Sequence, residues 1–185
     1  MKLVLGLVGP LLLGATTVQA DRDWCRTLFE QTPEIVDSAL EIVRSENASP
    51  GLGFALRYDF PDPEALSVTF FDANTPEIDE ALAEKHFFLG AQDLVRVNKS
   101  VGHRPKGKPR FERIELGDEA GTVVFRMSLF SESDTEPFIN DFLILYGWGD
   151  CMVKMGLTGT ETDRQTAEKR ADEISDRLRT SLPKP

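Results

Sequence analysis

Thr122-Val123-Val124-Phe125-Arg126-Met127-Ser128-Leu129-Phe130, Phe138-Ile139-Asn140-Asp141-Phe142-Leu143-Ile144-Leu145-Tyr146-Gly147-Trp148 and Cys151-Met152-Val153-Lys154-Met155-Gly156-Leu157-Thr158 are the three runs that decide the fold. Val123, Phe125, Met127 and Leu129 alternate with their neighbours, as do Cys151, Val153, Met155 and Leu157. A period of two marks a strand with one face buried. Between the runs lie the polar Ser131–Pro137 and the short Gly147-Trp148-Gly149-Asp150, so successive strands reverse and pair antiparallel. The segment Phe111–Leu116 precedes them, separated by the turn Gly117-Asp118-Glu119-Ala120-Gly121.

Working outward towards the N-terminus, Leu52, Phe54, Leu56, Tyr58 and Phe60 alternate with Gly53, Ala55, Arg57 and Asp59. Pro61-Asp62-Pro63-Glu64 turns the chain into Leu66, Val68 and Phe70, completing a hairpin. Three helices are expected around these strands. The first starts at Thr32 with Pro33 in its first turn, carries Val36, Ala39, Leu40 and Val43, and stops at Asn47-Ala48-Ser49-Pro50-Gly51. Before it, Asp23–Phe29 is either an earlier turn of helix or a lead-in that Cys25 ties down. The second starts at Asn74-Thr75-Pro76-Glu77 and runs to about Val97, with Ile78, Leu82 and Leu89 as one apolar stripe and Ala81, Phe88 and Val95 beside it. The third starts at Thr162-Asp163-Arg164-Gln165, a capping-box spacing, and packs through Ala167, Ala171, Ile174, Leu178 and Leu182.

The expected class is therefore α+β, with an antiparallel sheet of about six strands and three helices. Apolar residues on both sides of the strands around Phe70-Phe71 and Val123-Val124 predict helices on both faces, an α/β/α sandwich. This order, with Cys151-Met152-Val153-Lys154-Met155 leading into a C-terminal packing helix, resembles the photosystem-accessory and Ran-binding group of α/β/α sandwiches. It is also similar to small secreted bacterial proteins of unknown function. The resemblance implies a binding or assembly module rather than an enzyme, and brings no residue roles with it.

The N-terminus reads as an export signal. Lys2 precedes an apolar run, Leu3–Leu13, and Val18-Gln19-Ala20 offers a cleavage site. The run is too short to span a bilayer, which takes roughly 20 residues. Residues 1–20 are thus expected to be a signal peptide, and 21–185 one soluble domain in a periplasm or outside the cell. Cys25 follows Asp21-Arg22-Asp23-Trp24, too polar and bulky a setting for a lipidated cysteine. Disulfides persist outside the cytoplasm, and Cys25 and Cys151 are the only two cysteines. Their pairing would close a loop of about 127 residues, for which chain entropy gives roughly 4–5 kcal/mol; buried free thiols are the alternative.

The chain has 31 acidic and 21 basic side chains and a formal net charge of −10. Such a balance disfavours nucleic acid, whose binding needs basic groups to neutralise phosphates. Chemistry is sparse. The two histidines, His86 and His103, have no ligand-spaced partners, so no metal and no cofactor is expected. No Gly-x-Ser-x-Gly elbow occurs. Asp59, Asp62, Glu64, Asp118 and Glu119 cluster at turns, where carboxylates are common without catalysis. Catalysis is not the favoured reading. Asn47-Ala48-Ser49 and Asn98-Lys99-Ser100 match the glycosylation triplet, which matters only in a eukaryotic host.

Two features stand out against this background. Arg96, Lys99, Arg104, Lys106, Lys108, Arg110 and Arg113 reverse the local charge against a single Glu112. With His103, the stretch suits an acidic ligand, an anionic lipid surface or an acidic protein of the cell envelope; its plain alternative is a solvated loop that discourages edge pairing. Trp148, between two glycines, is the other candidate, as a pocket wall or a core edge. The leading functional expectation is an exported noncatalytic binding or assembly module of the envelope. A small carboxylate-dependent hydrolase and a structural or stress factor without a ligand are the alternatives.

Overall fold

The computed structural model describes residues 17–185 apart from 34, 37–38, 48–50, 62–63, 76, 118–121 and 136–137. Its elements are α1 (Thr17–Gln31), β1 (Glu41–Glu46), β2 (Phe54–Asp59), β3 (Ala65–Phe71), α2 (Glu80–Ser100), β4 (Arg104–Pro105), β5 (Arg110–Glu115), β6 (Val123–Glu132), β7 (Ile139–Trp148), β8 (Cys151–Gly159) and α3 (Arg164–Ser181). All pairings are antiparallel, in the order β1-β2-β3-β8-β7-β6, with β4 and β5 both on the outer side of β6. The sheet has eight strands where the alternation predicts about six. The two additions are β1, exposed at every position but Ile42 and so without an apolar alternation, and β4, only two residues long.

The alternating runs do what their spacing predicts. Phe54, Leu56 and Tyr58 lie opposite Phe70, Val68 and Leu66 and are buried with them. Cys151, Val153, Met155 and Leu157 face one layer, which α1 and α3 close. Met152 joins Phe125, Met127, Leu143 and Leu145 on the other face, under α2. The result is helices on both faces of one sheet. The α3 face is the expected one, with Ala167, Ala171, Ile174 and Leu178 buried. Its N-cap is Asp163, whose side chain accepts from the Thr166 amide, so the cap sits one residue beyond the expected Thr162.

The first helix requires correction. Thr32–Asn47 is not a helix: α1 precedes it, and Glu41–Glu46 is the edge strand β1 paired with β2. The helical spacing of Val36, Leu40 and Val43 defines no buried face, for Leu40 is 73% exposed. A helix there would leave the outer edge of β2 with unpaired peptide groups, which the β1 ladder satisfies. Arg44 of β1 reaches back to donate to the Phe29 and Thr32 carbonyls, stabilising the carbonyl end of α1. Of the expected signal peptide, residues 1–16 lie outside the described residues, and Thr17–Ala20 begin α1. Among the described residues no helix is long and apolar enough to cross a membrane.

The second helix begins later and faces differently from expectation. Asp79 caps it by accepting from the Leu82 amide, and its buried face is Ala83, Phe87, Ala91 and Asn98. Small residues at Ala83 and Ala91 let the helix approach the sheet closely, and Gly90 sits against Leu143, where an added Cβ would lie 3.1 Å from a methyl carbon. Phe88 and Leu89 therefore turn outward, at 44% and 48% exposure.

Helix α1 and the C-terminal tail meet at the β7–β8 turn. Cys25 of α1 is bonded to Cys151 of β8. Trp24 donates its indole N–H to the Trp148 carbonyl at 2.8 Å, and Trp148 donates its own to the Pro183 carbonyl at 2.7 Å. Gly149 has φ +59°, and a Cβ there would lie 2.7 Å from the Trp24 indole nitrogen, so both backbone and space select glycine. A Cys25→Ser/Cys151→Ser double variant should lose on the order of 2–5 kcal/mol of unfolding free energy in urea. An unchanged midpoint would show that the clasp holds without its covalent bond.

Candidate functional site

The basic stretch folds as a strap rather than a free loop. Arg104–Pro105 pairs with Ser131 and Glu132 at the end of β6, and the Lys106 amide donates to the Phe130 carbonyl. Arg104 reaches Asp134 at 2.9 Å and Glu132 at 3.9 Å, while Lys106 contacts Glu132 at 2.9 Å and lies over the Phe138 ring. Arg110 pairs with Glu112 at 2.8 Å and Glu168 at 3.6 Å. Arg113 binds Glu80 and Glu115, and Arg96 binds Asp93. These partners come from β5, β6, α2, α3 and the β6–β7 loop, so most of the local positive charge is already neutralised. Only Lys99 and Lys108 of the seven cations lack an acidic partner among the described residues.

His103 is built into the fold. The Asn98 side-chain nitrogen donates to the Leu94 carbonyl, so its oxygen accepts, and His103 Nδ1 donates to it at 2.8 Å. Asn98 is buried, so the acceptor of the second glycosylation triplet is withdrawn from the surface. Behind it lies Asp141, buried, with Oδ1 accepting from the Thr158 hydroxyl at 2.6 Å and Oδ2 lacking a partner among the described residues. Burial pushes the Asp141 carboxyl above the usual range, opposed by the Thr158 hydroxyl, the Asn98 amide and the nearby His103. Neither Asp141 nor Asn98 stands out in the sequence, because polar residues inside a strand or helix give no periodic signal.

Trp148 lies at the opposite end of β7 from the strap. Nine residue steps at about 3.3 Å separate Ile139 from Trp148, roughly 30 Å, so the structure does not bring Trp148 together with the strap residues Arg104 and Lys106. Its indole is committed to Pro183, although it helps line a cleft of about 360 Å³ with Ile78, Ala83 and Phe125. Of the turn carboxylates, Asp59 is held by Arg57 at 2.7 Å and Glu64 by Arg170 at 3.0 Å. Asp62, Asp118 and Glu119 lie outside the described residues.

The site that emerges is a groove of about 500 Å³ between α2 and β5. Phe88, Val95 and Lys99 follow at helical spacing on α2, and Phe111 faces them from β5. Phe111 is 48% exposed and stacks obliquely on Phe88 at 5.8 Å, with Phe87 beneath at 5.4 and 6.2 Å from the two rings. Arg96 and Lys99 form the rim. Two half-exposed aromatic rings over an apolar floor, edged by cations, can hold a ligand with an apolar group beside a carboxylate. Lys99 belongs to the basic stretch; Phe88 and Phe111 are legible only once the rotation of α2 is known.

No protein-family model matches the chain, and no curated protein matches it. Among solved structures it is similar to the solution structure of cyanobacterial PsbP (CyanoP) from Synechocystis sp. PCC 6803, at 20% identity, over 73% of this chain and 79% of that one, with a TM-score of 0.41. That is a loose resemblance and transfers no residue roles.

The Asp141 environment has a measurable consequence. A carboxyl that holds its proton more tightly when folded contributes stability while protonated, and this is lost as pH rises from about 4, the ordinary Asp range, through the raised folded value. Asp141→Asn should therefore be more stable than the natural chain at pH 7 in urea titrations, with the two converging below about pH 4. A variant less stable at pH 7, with the difference disappearing in acid, would show that Asp141 is held as a paired anion.

Proposed function

We propose that this chain is exported, loses residues 1–20, and acts as a noncatalytic accessory module that holds an acidic protein partner of the envelope in the α2–β5 groove. The observation carrying this reading is the exposed Phe88–Phe111 pair beside Lys99, which has no acidic partner among the described residues. Full burial of such a side chain stabilises by roughly 1.5–3 kcal/mol, so covering the two half-exposed rings contributes about 1.5–3 kcal/mol together, a minor part of the roughly 8 kcal/mol of a micromolar affinity. Lys99 then selects a carboxylate at the rim, chiefly through rate and specificity.

A flat anionic membrane fits this face less well than a protein segment does. Glu84, one turn before Phe88 on α2, is exposed and would approach a planar anionic surface along with the groove. At physiological salt, charges within about 8 Å of that surface are felt. A narrow segment lying in the groove avoids them.

Reversing Arg104, Lys106 or Arg110 would break internal ion pairs, so the discriminating variants lie elsewhere. Phe111→Ser and Lys99→Glu should each weaken capture of the same envelope protein about tenfold or more, with Lys169→Glu on α3 leaving it unchanged. Equal capture by all variants, or binding of the natural chain to phosphatidylglycerol vesicles in place of a protein, would overturn the proposal.

A further inference from the structure

The opposite flank of α2 carries a second, smaller cleft of about 190 Å³, closed at one end by Gly51 and Leu52. Its floor is the buried Phe71 of β3, with the Lys154 Nζ 5.8 Å from the ring centroid and the His86 ring edge-on at 5.5 Å. Lys154 stands in the middle of the sheet, paired in register with Thr69 on one side and Leu145 on the other. It has no ion-pair partner among the described residues, although the chain carries 31 acidic side chains. A cation withdrawn from water without a counter-charge is destabilising unless something else completes it. Burial, in line with this, pushes the Lys154 amine below its ordinary value, partly offset by Asp93.

We infer that this cleft is a binding site for a small carboxylate monoanion bearing a short alkyl chain, with Lys154 meeting the carboxylate and Leu52, Leu89 and Phe71 enclosing the chain. Size sets the first limit: a cleft of about 190 Å³ suits a small ligand rather than a large one. Charge sets the second. Burial, and then Lys85 and Lys154, push the His86 imidazole below its ordinary value, which disfavours a second positive charge beside Lys154. Asp93 stands at the rim, bound to Arg96 at 2.8 Å, and disfavours a dianion. Thr69 adds a hydroxyl beside Lys154. A single ammonium, neutral hydrogen-bonding groups and apolar walls together match one carboxylate and a few methylenes. The site does not depend on the groove on the other side of the helix.

Sodium butyrate added to isotope-labelled protein should shift the Thr69, His86 and Gly90 amide resonances saturably. Lys154→Met should weaken this at least tenfold. Leu89→Glu, a rim substitution at a half-exposed position, should do the same through charge repulsion without disturbing the sheet, and it decides the matter if Lys154→Met fails to fold. Shifts that never saturate, saturable binding that survives either folded variant, or inorganic phosphate binding as tightly as butyrate would overturn the assignment.

Discussion

Everything exposed on one face of this molecule depends on how closely α2 seats on β7. Ala83 and Ala91, one turn either side of Phe87, bring the helix down onto Phe125, Leu143 and Leu145, and Gly90 clears the Leu143 methyls. With that rotation set, helical geometry leaves no choice for the neighbours: Phe88 leans towards β5 and Leu89 towards β3. The helix covers β6 and β7 but not the β2–β3 half of the sheet, so it leaves a groove on each flank. One is wide and apolar with a cationic rim; the other is narrow with a lysine at its base.

The opposite layer supplies rigidity. All of β7 except Gly147 is buried, between strands on both sides and helices on both faces, which makes it the element least able to move. The Cys25–Cys151 bond and the Trp24–Trp148–Pro183 hydrogen bonds anchor α1 and the C-terminal tail to the turn that ends it. A helix on such a platform presents fixed side chains, and a preformed surface loses less entropy on binding than a mobile one.

The strands were legible because alternation is a local property of neighbouring residues, and the hairpins and α3 follow from it. The first helix was misread because the helical spacing of Val36, Leu40 and Val43 is coincidental: only Val43 of the three lies in the edge strand β1, which turns only Ile42 towards the core. The rotation of α2 was misread for a different reason. Its largest apolar residues suggest the buried face, but close packing favours the small ones, and the four-residue spacing of Ala83, Phe87 and Ala91 was the better guide. The basic stretch was legible as composition but not as structure: Glu132, Asp134 and Glu168, which neutralise it, are distant in sequence. Of the candidate residues, Lys99 lies in the groove, while His103 and Trp148 are occupied by internal hydrogen bonds.

The rotation of α2 can be measured directly. Solvent paramagnetic relaxation of the aromatic protons in the unliganded protein should be strong for Phe88 and Phe111 and weak for Phe87 and Phe71. Protection of Phe88 with exposure of Phe87 would mean that the helix is turned by about one residue, some 100°, and neither groove would exist as described.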